Sequence, residues 1–505
     1  MPTTLRSFIR NREIVRSSDL IERMTNAGYS ADNARQRMHR LADNSDVWRS
    51  EKLQLPGRER LFARNHFRQS SGFVTSLVHT LDTLRPGLAR CLRRLIRTRV
   101  VLCADLARLS SAAVNGTILR VPTLADVMDA LVDSGAFERE AQNTVLDRLT
   151  ARELVGTDQS GAIAFQEYGS KANENILSKL ILDSYRRSNI VSWGGCSVAS
   201  LQRGYTDFNN QAFSAIAYSY LAPFLRWREG RNRPISCPVL FDVHSRECTV
   251  DDVEAFQCRL KRVARGDRSW RLLGLIASPD FEAKAWDSAK RNGFITINLR
   301  QMVGDAALEM LAGVEEIVRN LPGSYDRVES ADTNRLAECL AQLDKNRFVV
   351  ELRSIAFETV AALILRSMPA ENVEIGMLVP WKKNEQREVD VVGEQEGGEK
   401  LYIIECKAVR ADKELEPTDV TKFFTQSVPA LLKLDRYAGA RIVHAEIWTT
   451  GAIGSEAKRE LRSLALKRKV RAKLRGFDEV TKQLKSKLKR CKRLLNVIRS
   501  TKDTI

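Results

Sequence analysis

In Arg387-Glu388-Val389-Asp390-Val391-Val392, then Gly393 to Glu399, then Leu401-Tyr402-Ile403-Ile404-Glu405-Cys406-Lys407-Ala408, two aliphatic runs flank a charged segment that holds Gly397-Gly398. Short β-branched runs around a glycine-bearing turn predict two paired strands. Side chains alternate along a strand, so Leu401, Ile403, Glu405 and Lys407 share one face, and Tyr402, Ile404, Cys406 and Ala408 the other. A carboxylate and an ammonium therefore end an otherwise apolar face, where burial is costly unless something pairs with them. Asp390, across the hairpin, brings a second carboxylate that repels the first. A hard divalent cation resolves the repulsion, since Mg²⁺ takes carboxylate oxygens and water. It can also offset charge on a phosphate, with the lysine ammonium beside it. The plainer alternative for the same residues is an exposed ion pair on an edge strand.

The neighbourhood of this hairpin narrows the choice. The apolar segment around Ser354-Ile355-Ala356-Phe357-Glu358 reads as a helix before it, a helix over Thr418 to Tyr437 follows, and then a strand over Arg441 to Thr450. From Ala356-Phe357-Glu358 through Glu405-Cys406-Lys407-Ala408 the chain resembles the PD-(D/E)XK nuclease superfamily, in its Mrr-like restriction endonuclease branch, over residues 347 to 480. The resemblance implies a mixed central sheet flanked by helices and Mg²⁺-dependent hydrolysis of DNA phosphodiesters, with Mn²⁺ as a substitute metal. It implies Asp390 and Glu405 as metal ligands, Lys407 as the catalytic lysine and Glu358 as the acid of the preceding helix. Val389 stands where the superfamily name puts proline, a position that varies within the branch. Lys422 and Gln426 on the following helix are candidates for the same cleft, although helix-surface roles suit them as well.

The segment from 171 to 322 reads as a repeat of the segment from 323 to 480. Asn210-Gln211-Ala212-Phe213-Ser214 is expected to open a helix, as Ser354 to Glu358 does. Pro238-Val239-Leu240-Phe241-Asp242-Val243-His244 is the expected partner of Leu401 to Lys407, and Leu273 to Ser278 that of Ile447 to Gly451. On this alignment Ser214 stands for Glu358, Asp242 for Glu405 and His244 for Lys407, with no counterpart assigned to Asp390 between Arg228 and Cys237. A degenerate copy, kept for packing or DNA contact, is the expectation; a second metal site at Asp242 and His244 is the alternative. Leu321-Pro322-Gly323-Ser324 to Asp332 reads as the linker.

Residues 1–70 read as a helix-turn-helix. An amphipathic helix over Ser17 to Ala27 turns at Gly28-Tyr29, and Ser30 caps a second helix to Ala42; Trp48 to Phe62 forms a hairpin with Pro56-Gly57 at its tip. The segment resembles a winged helix, which implies that Arg35, Arg37 and Arg40 on the second helix meet DNA; a small helical interaction domain is the alternative. Residues 71–170 repeat the cadence more weakly, with Thr123 heading Leu124 to Ser134 and a further helix over Glu138 to Thr150. They read either as a second winged helix or as a helical scaffold.

The 505 residues exceed what one core can serve, and 43% hydrophobic content is enough to fold several. Nine cysteines without a C-x-x-C pair suggest reduced thiols in a cytoplasmic protein. No membrane span is expected. A net charge of +18 suits a binder of phosphate backbones. Its C-terminal share runs from Glu456 to Lys502, much of it at helical spacing with Leu474, Leu484, Leu488, Leu494 and Leu495, and includes a basic helix over residues 481–505; it reads as a solvated or phosphate-tracking face. The chain lacks a G-x-x-x-x-G-K-[ST] loop, so any ATPase or helicase dependence belongs to a partner protein. The expectation is a DNA endonuclease of the restriction or antiphage-defence type, with homodimerisation to cut both strands. Repair, junction-processing or transposition endonucleases, and a non-catalytic DNA-binding regulator, are the alternatives.

Overall fold

The computed structural model describes residues 4–40, 46–53, 55–68, 70–98, 100–115, 121–135, 137–140, 148–151, 160–199, 204–221, 225, 235–266, 271–320, 349–368, 370, 372–382, 385–464, 469–484 and 491–500. They form a mixed α/β chain with two five-stranded sheets and smaller sheets before them. The expected linker from Leu321 lies outside the described residues. Among the described residues, no helix is long and apolar enough to cross a membrane, and the eight described cysteines are free thiols.

The N-terminal third holds two small units of the same design. In the first, strand Val15–Arg16 leads into helix Ser17–Asn26, helix Ala31–Arg40 and strands Val47–Arg49 and Leu61–Arg64. Leu20, Met24, Ala34 and Met38 are its buried helical stripe, and Gly28, at φ +94°, makes the left-handed turn between the helices. In the second, strand Val100–Leu102 is followed by helices Cys103–Ser110 and Leu124–Asp133 and strands Phe137–Glu140 and Arg148–Ala151. In each the third strand lies between the other two. Thr123 caps its helix with Asp126 in a reciprocal box.

The helix expected over Glu138 to Thr150 is therefore incorrect. Phe137–Glu140 and Arg148–Ala151 are strands that pair antiparallel, Phe137 opposite Ala151, and complete a sheet with Val100–Leu102. Pairing with a distant strand outweighs a weak local helical preference. The first unit's helices have a core of their own, whereas its Trp48, Leu61 and Ala63 share a core with the second unit, in which Trp48 meets Phe73 edge-on at 5.3 Å.

The two large sheets have one topology. Helix α1 (Ser160–Arg187) precedes strands β1 (Ser197–Val198), β2 (Ala215–Ser219) and β3 (Cys237–Val243). Helix α2 (Val250–Gly266), β4 (Leu273–Ser278) and β5 (Ile295–Asn298) follow. In the second sheet, α3 (Val349–Ser367) precedes β6 (Asn372–Lys382), β7 (Glu385–Gln395) and β8 (Lys400–Lys407). Helix α4 (Pro417–Lys422), β9 (Ile442–Thr449) and β10 (Val470–Arg475) come after them. Each sheet runs in chain order across its width: an antiparallel meander of three strands, then two strands parallel to the third. Strand β8 is buried on both faces, Leu401 and Ile403 against one layer and Ile404 and Cys406 against the other. That explains its near-continuous apolar run.

The repeat is thus one of topology, but its expected alignment needs correcting. Gln211–Phe213 is a strand paired with Thr206–Phe208, because Asn209 and Asn210, at φ +50° and +59°, form the left-handed two-residue turn that closes hairpins. The partner of α3 is α1, well upstream. A second correction concerns the C-terminus. Leu474 lies on β10, and helix Cys491–Ser500 buries Cys491, Leu494, Leu495 and Ile498 in the core that also holds α3. Its described part is a packed element with one basic face, held by apolar burial of roughly 1.5–3 kcal/mol per large side chain.

Candidate active site

The antiparallel register of β7 and β8 sets Val391 opposite Ile404 and Val392 opposite Ile403. One step further along, Asp390 comes opposite Glu405, and its Oδ2 accepts the Cys406 backbone N–H at 2.6 Å. Lys407 Nζ lies 2.9 Å from Glu405 Oε1 and 3.5 Å from Asp419 Oδ1, in the first turn of α4. The expected trio is thus assembled where the sheet changes from antiparallel to parallel, by a hairpin whose turn falls at Glu396-Gly397-Gly398, all left-handed.

Glu358, on α3, joins the cluster electrostatically. Burial, then repulsion from Glu388, pushes its carboxyl up to about 8. Asp390 is raised well above the usual carboxylate range by burial, Glu405 and Glu358. Glu405 is raised by burial against the pull of Lys407. Lys407 itself is raised, since Glu405 and Asp419 outweigh its desolvation. These carboxylates carry more negative charge than their surroundings offset. Glu405 Oε2 is buried and has no hydrogen-bond partner.

That orphaned oxygen and the mutual repulsion fit a divalent cation held by Asp390 and Glu405. Among the described residues, no set of three or more His, Cys, Asp and Glu side chains forms a ready metal cage. A Mg²⁺ ion that uses one or two carboxylates and keeps its waters does not require one.

Three residues that sequence reading missed belong here. Glu388 lies two positions before Asp390, on the same strand face, which was a usable signal. Asp419 reaches Lys407 from α4. Lys179 reaches Glu388 from α1, with an ion pair between its Nζ and Glu388 Oε1; nothing near Lys179 in the sequence suggests it.

The corresponding place in the first sheet is also assembled, differently. Register sets Ala215 opposite Phe241, so Ser214 comes opposite Asp242. Ser214 Oγ accepts the Val243 N–H at 3.0 Å, as Asp390 accepts that of Cys406. Ser214 therefore stands for Asp390, not for Glu358, and the buried acid of the preceding helix is Glu174. Arg108, from the second N-terminal unit, enters this place. Its guanidinium lies 2.7 Å from Asp105, 2.8 Å from Glu174, 3.4 Å from Asp242 and 3.0 Å from Ser214 Oγ. Arg259, on α2, binds the other Asp242 oxygen at 2.6 Å. Burial alone would push the Asp242 carboxyl up, but Arg259 and Arg108 hold it far below the usual range. His244, 3% exposed, lies 3.5 Å from Asp242.

The remaining predicted residues lie apart from this chemistry. Lys422 is exposed and Gln426 is half-buried in a π-helical turn, Phe423–Ser427; no hydrogen bond or ion pair among the described residues links either to Asp390, Glu405 or Lys407. Arg35 and Arg40 are exposed on the second N-terminal helix. Arg35 pairs with Asp32 at 2.8 Å. Arg37, expected to face outward, is half-buried: it binds Asn33 Oδ1 at 3.1 Å and lies 4.7 Å over the Tyr29 ring. None of the protein-family models, curated proteins or solved structures compared with this chain matches it.

Proposed function

We propose that this chain is a Mg²⁺-dependent DNA endonuclease of the PD-(D/E)XK type, with Mn²⁺ as a substitute metal and its working site at Asp390, Glu405 and Lys407. One observation carries the reading. Asp390 is anchored to the Cys406 N–H beside a Glu405–Lys407 pair, and Glu405 keeps a buried oxygen without a partner. The elements around it, a helix, a three-stranded meander, a helix and a parallel strand, make a mixed sheet with helices beside it, the coarse fold that the resemblance implies, which supports the same reading. The alternative of an exposed ion pair on an edge strand is not favoured, because β8 is central and buried on both faces.

Asp390 and Glu405 would hold the metal, with Glu358 supporting them. The bound cation supplies Lewis-acid stabilisation of the charge that builds on the scissile phosphate. The chain's own residues do the positioning. The Cys406 N–H fixes the Asp390 carboxylate, Glu405 orients the Lys407 ammonium, and that ammonium donates to a phosphate oxygen or to the attacking water as negative charge develops. The N-terminal units, read as winged helices, and the basic surface hold the duplex. Two copies of the chain would cut both strands, in a restriction or antiphage-defence role.

The deciding experiment is nicking of supercoiled plasmid by the purified protein in Mg²⁺ or Mn²⁺, with a chelator and with Lys407→Ala as controls. Nicking that needs both the metal and Lys407 is expected. DNA binding without metal-dependent nicking would leave a non-catalytic regulator instead.

A further inference from the structure

We infer that Lys179, carried by the helix of the first sheet, is a positioning residue of the second sheet's site: by holding Glu388 it sets how strongly the carboxylate cluster takes up a divalent cation. The inference rests on the reading of that cluster as a cation site. It gives the first half of the molecule a part in the chemistry that its own sealed site does not have.

Helix α1 is fixed to the first sheet: Leu177, Leu180, Ile181 and Leu182 share a core with Val239 and Phe241 of β3. Five positions separate Glu174 from Lys179, which turns them to different sides of the helix. Glu174 meets Arg108 in the first site, whereas Lys179 pairs with Glu388 on β7. One helix thus serves both places.

Glu388 lies on the Asp390 face of β7 and repels both Asp390 and Glu358. The Lys179 charge is also felt at Glu358 and Asp390. Strand β6 leaves room for the pair at Gly376, where φ is +66° and an added Cβ would lie 3.3 Å from Glu388 Oε1 and 3.5 Å from Lys179 Nζ. With Lys179 in place, Glu388 is neutralised and the cation is left to Asp390 and Glu405. Without it, Glu388 becomes a further uncompensated carboxylate beside them.

Mn²⁺ binding to the full-length protein, measured calorimetrically without DNA, tests this. Removing an opposite charge a few ångströms away changes a site's affinity by about tenfold or more. Lys179→Met is therefore expected to bind Mn²⁺ about tenfold more tightly and Glu388→Gln about tenfold more weakly. The double variant is expected near the wild type, and Lys179→Arg, which keeps the charge, near it too. A merely structural bridge between the halves would lower the melting temperature in each single variant and leave Mn²⁺ affinity alone. Affinities within twofold of wild type in Lys179→Met and Glu388→Gln would overturn the inference. If Lys179→Met does not fold, the weaker binding expected of Glu388→Gln decides by itself. A wild-type protein that binds no Mn²⁺ would sink the cation site itself, and the inference with it.

Discussion

The two sheets place a carboxylate at the same point, Asp242 at the end of β3 and Glu405 at the end of β8, and treat it in opposite ways. Around Asp242 two guanidinium groups, from Arg108 and Arg259, enter and seal the place. Around Glu405 the neighbours are further acids, Asp390, Glu358 and Glu388, and one carboxylate oxygen has no partner. A buried acid cluster must be neutralised by something. Where arginines from the fold do this, the cluster is part of the structure; where only Lys407 and Lys179 reach it, the cluster is the proposed place for a cation. Much of the difference in charge lies in Ser214 standing where Asp390 stands and in the two arginines that reach Asp242.

The largest effect that can break this comparison is on cleavage. Lys407→Ala and Asp390→Ala are expected to lower plasmid nicking by about a thousandfold, on the scale of removing one preorganised group from a charged transition state, while DNA affinity stays near wild type because basic surfaces carry it. His244→Ala, at the place equivalent to Lys407, is expected to leave nicking within about tenfold. Near-normal cutting by either of the first two variants, or a collapse in a folded His244→Ala protein, would reverse the roles of the two sheets.

The next effect is on stability. Arg108→Met leaves Asp105, Glu174 and Asp242 short of their shared cation, and breaking such a buried pair costs about 3–5 kcal/mol. Urea unfolding measures it, and a loss under about 1 kcal/mol would mean that the arginine does not seal the site. The pH dependence has a sign. Asp242 is held below its unfolded pKa, so its contribution is present above that value and is lost as pH falls toward the folded one. Arg108→Met is therefore expected to cost most near neutrality and least in acid.

The second sheet runs the other way. Glu358 is pushed up to about 8, first by burial and then by Glu388. Its folded pKa exceeds its unfolded value, so the metal-free protein loses stability as pH rises between the two. A cation that replaces the proton is worth most where the proton has gone. At one fixed Mg²⁺ concentration, stabilisation is expected to grow from about pH 6 to about pH 8.5 in paired thermal melts, reaching roughly 3 kcal/mol where that concentration is about a hundred times the dissociation constant. A constant increment would argue against a cation at these carboxylates.

How much of this was legible follows from what is local. The hairpin of β7 and β8 was readable from alternation and the Gly397-Gly398 turn, and with it Asp390, Glu405 and Lys407. Glu388 was readable by the same alternation. The Asn209-Asn210 turn also lay in the sequence, and reading it would have kept Gln211–Phe213 out of a helix and moved Ser214 to its proper place. Arg108, Glu174 and Lys179 were not legible, since each acts across more than 60 residues of chain. Such pairings are set by how the units pack, and nothing in a lone arginine or lysine says which buried acid it will meet.

The smallest expected effect concerns the first N-terminal unit. Its second helix buries Ala34 and Met38 and divides its arginines. Arg35 and Arg40 are exposed, whereas Arg37 is spent on Tyr29 and Asn33. If this helix lies along a DNA groove, Arg35 and Arg40 meet the duplex and Arg37 carries structure. Replacing Arg35 and Arg40 with alanine is then expected to weaken binding and to flatten its salt dependence by roughly one unit for each phosphate no longer held, equally on every duplex; an arginine that reads a base edge would instead show as a cost of about 1–3 kcal/mol at one position of the site. Arg37→Ala is expected to leave the salt slope alone and to cost the fold about 0.5–1 kcal/mol, the worth of an exposed cation–π pair. Titrating both variants against several duplexes at two salt concentrations separates these outcomes. A double variant with unchanged slope and affinity would show that this unit meets protein, and would move the search for the groove to the basic segment from Lys469 to Arg475.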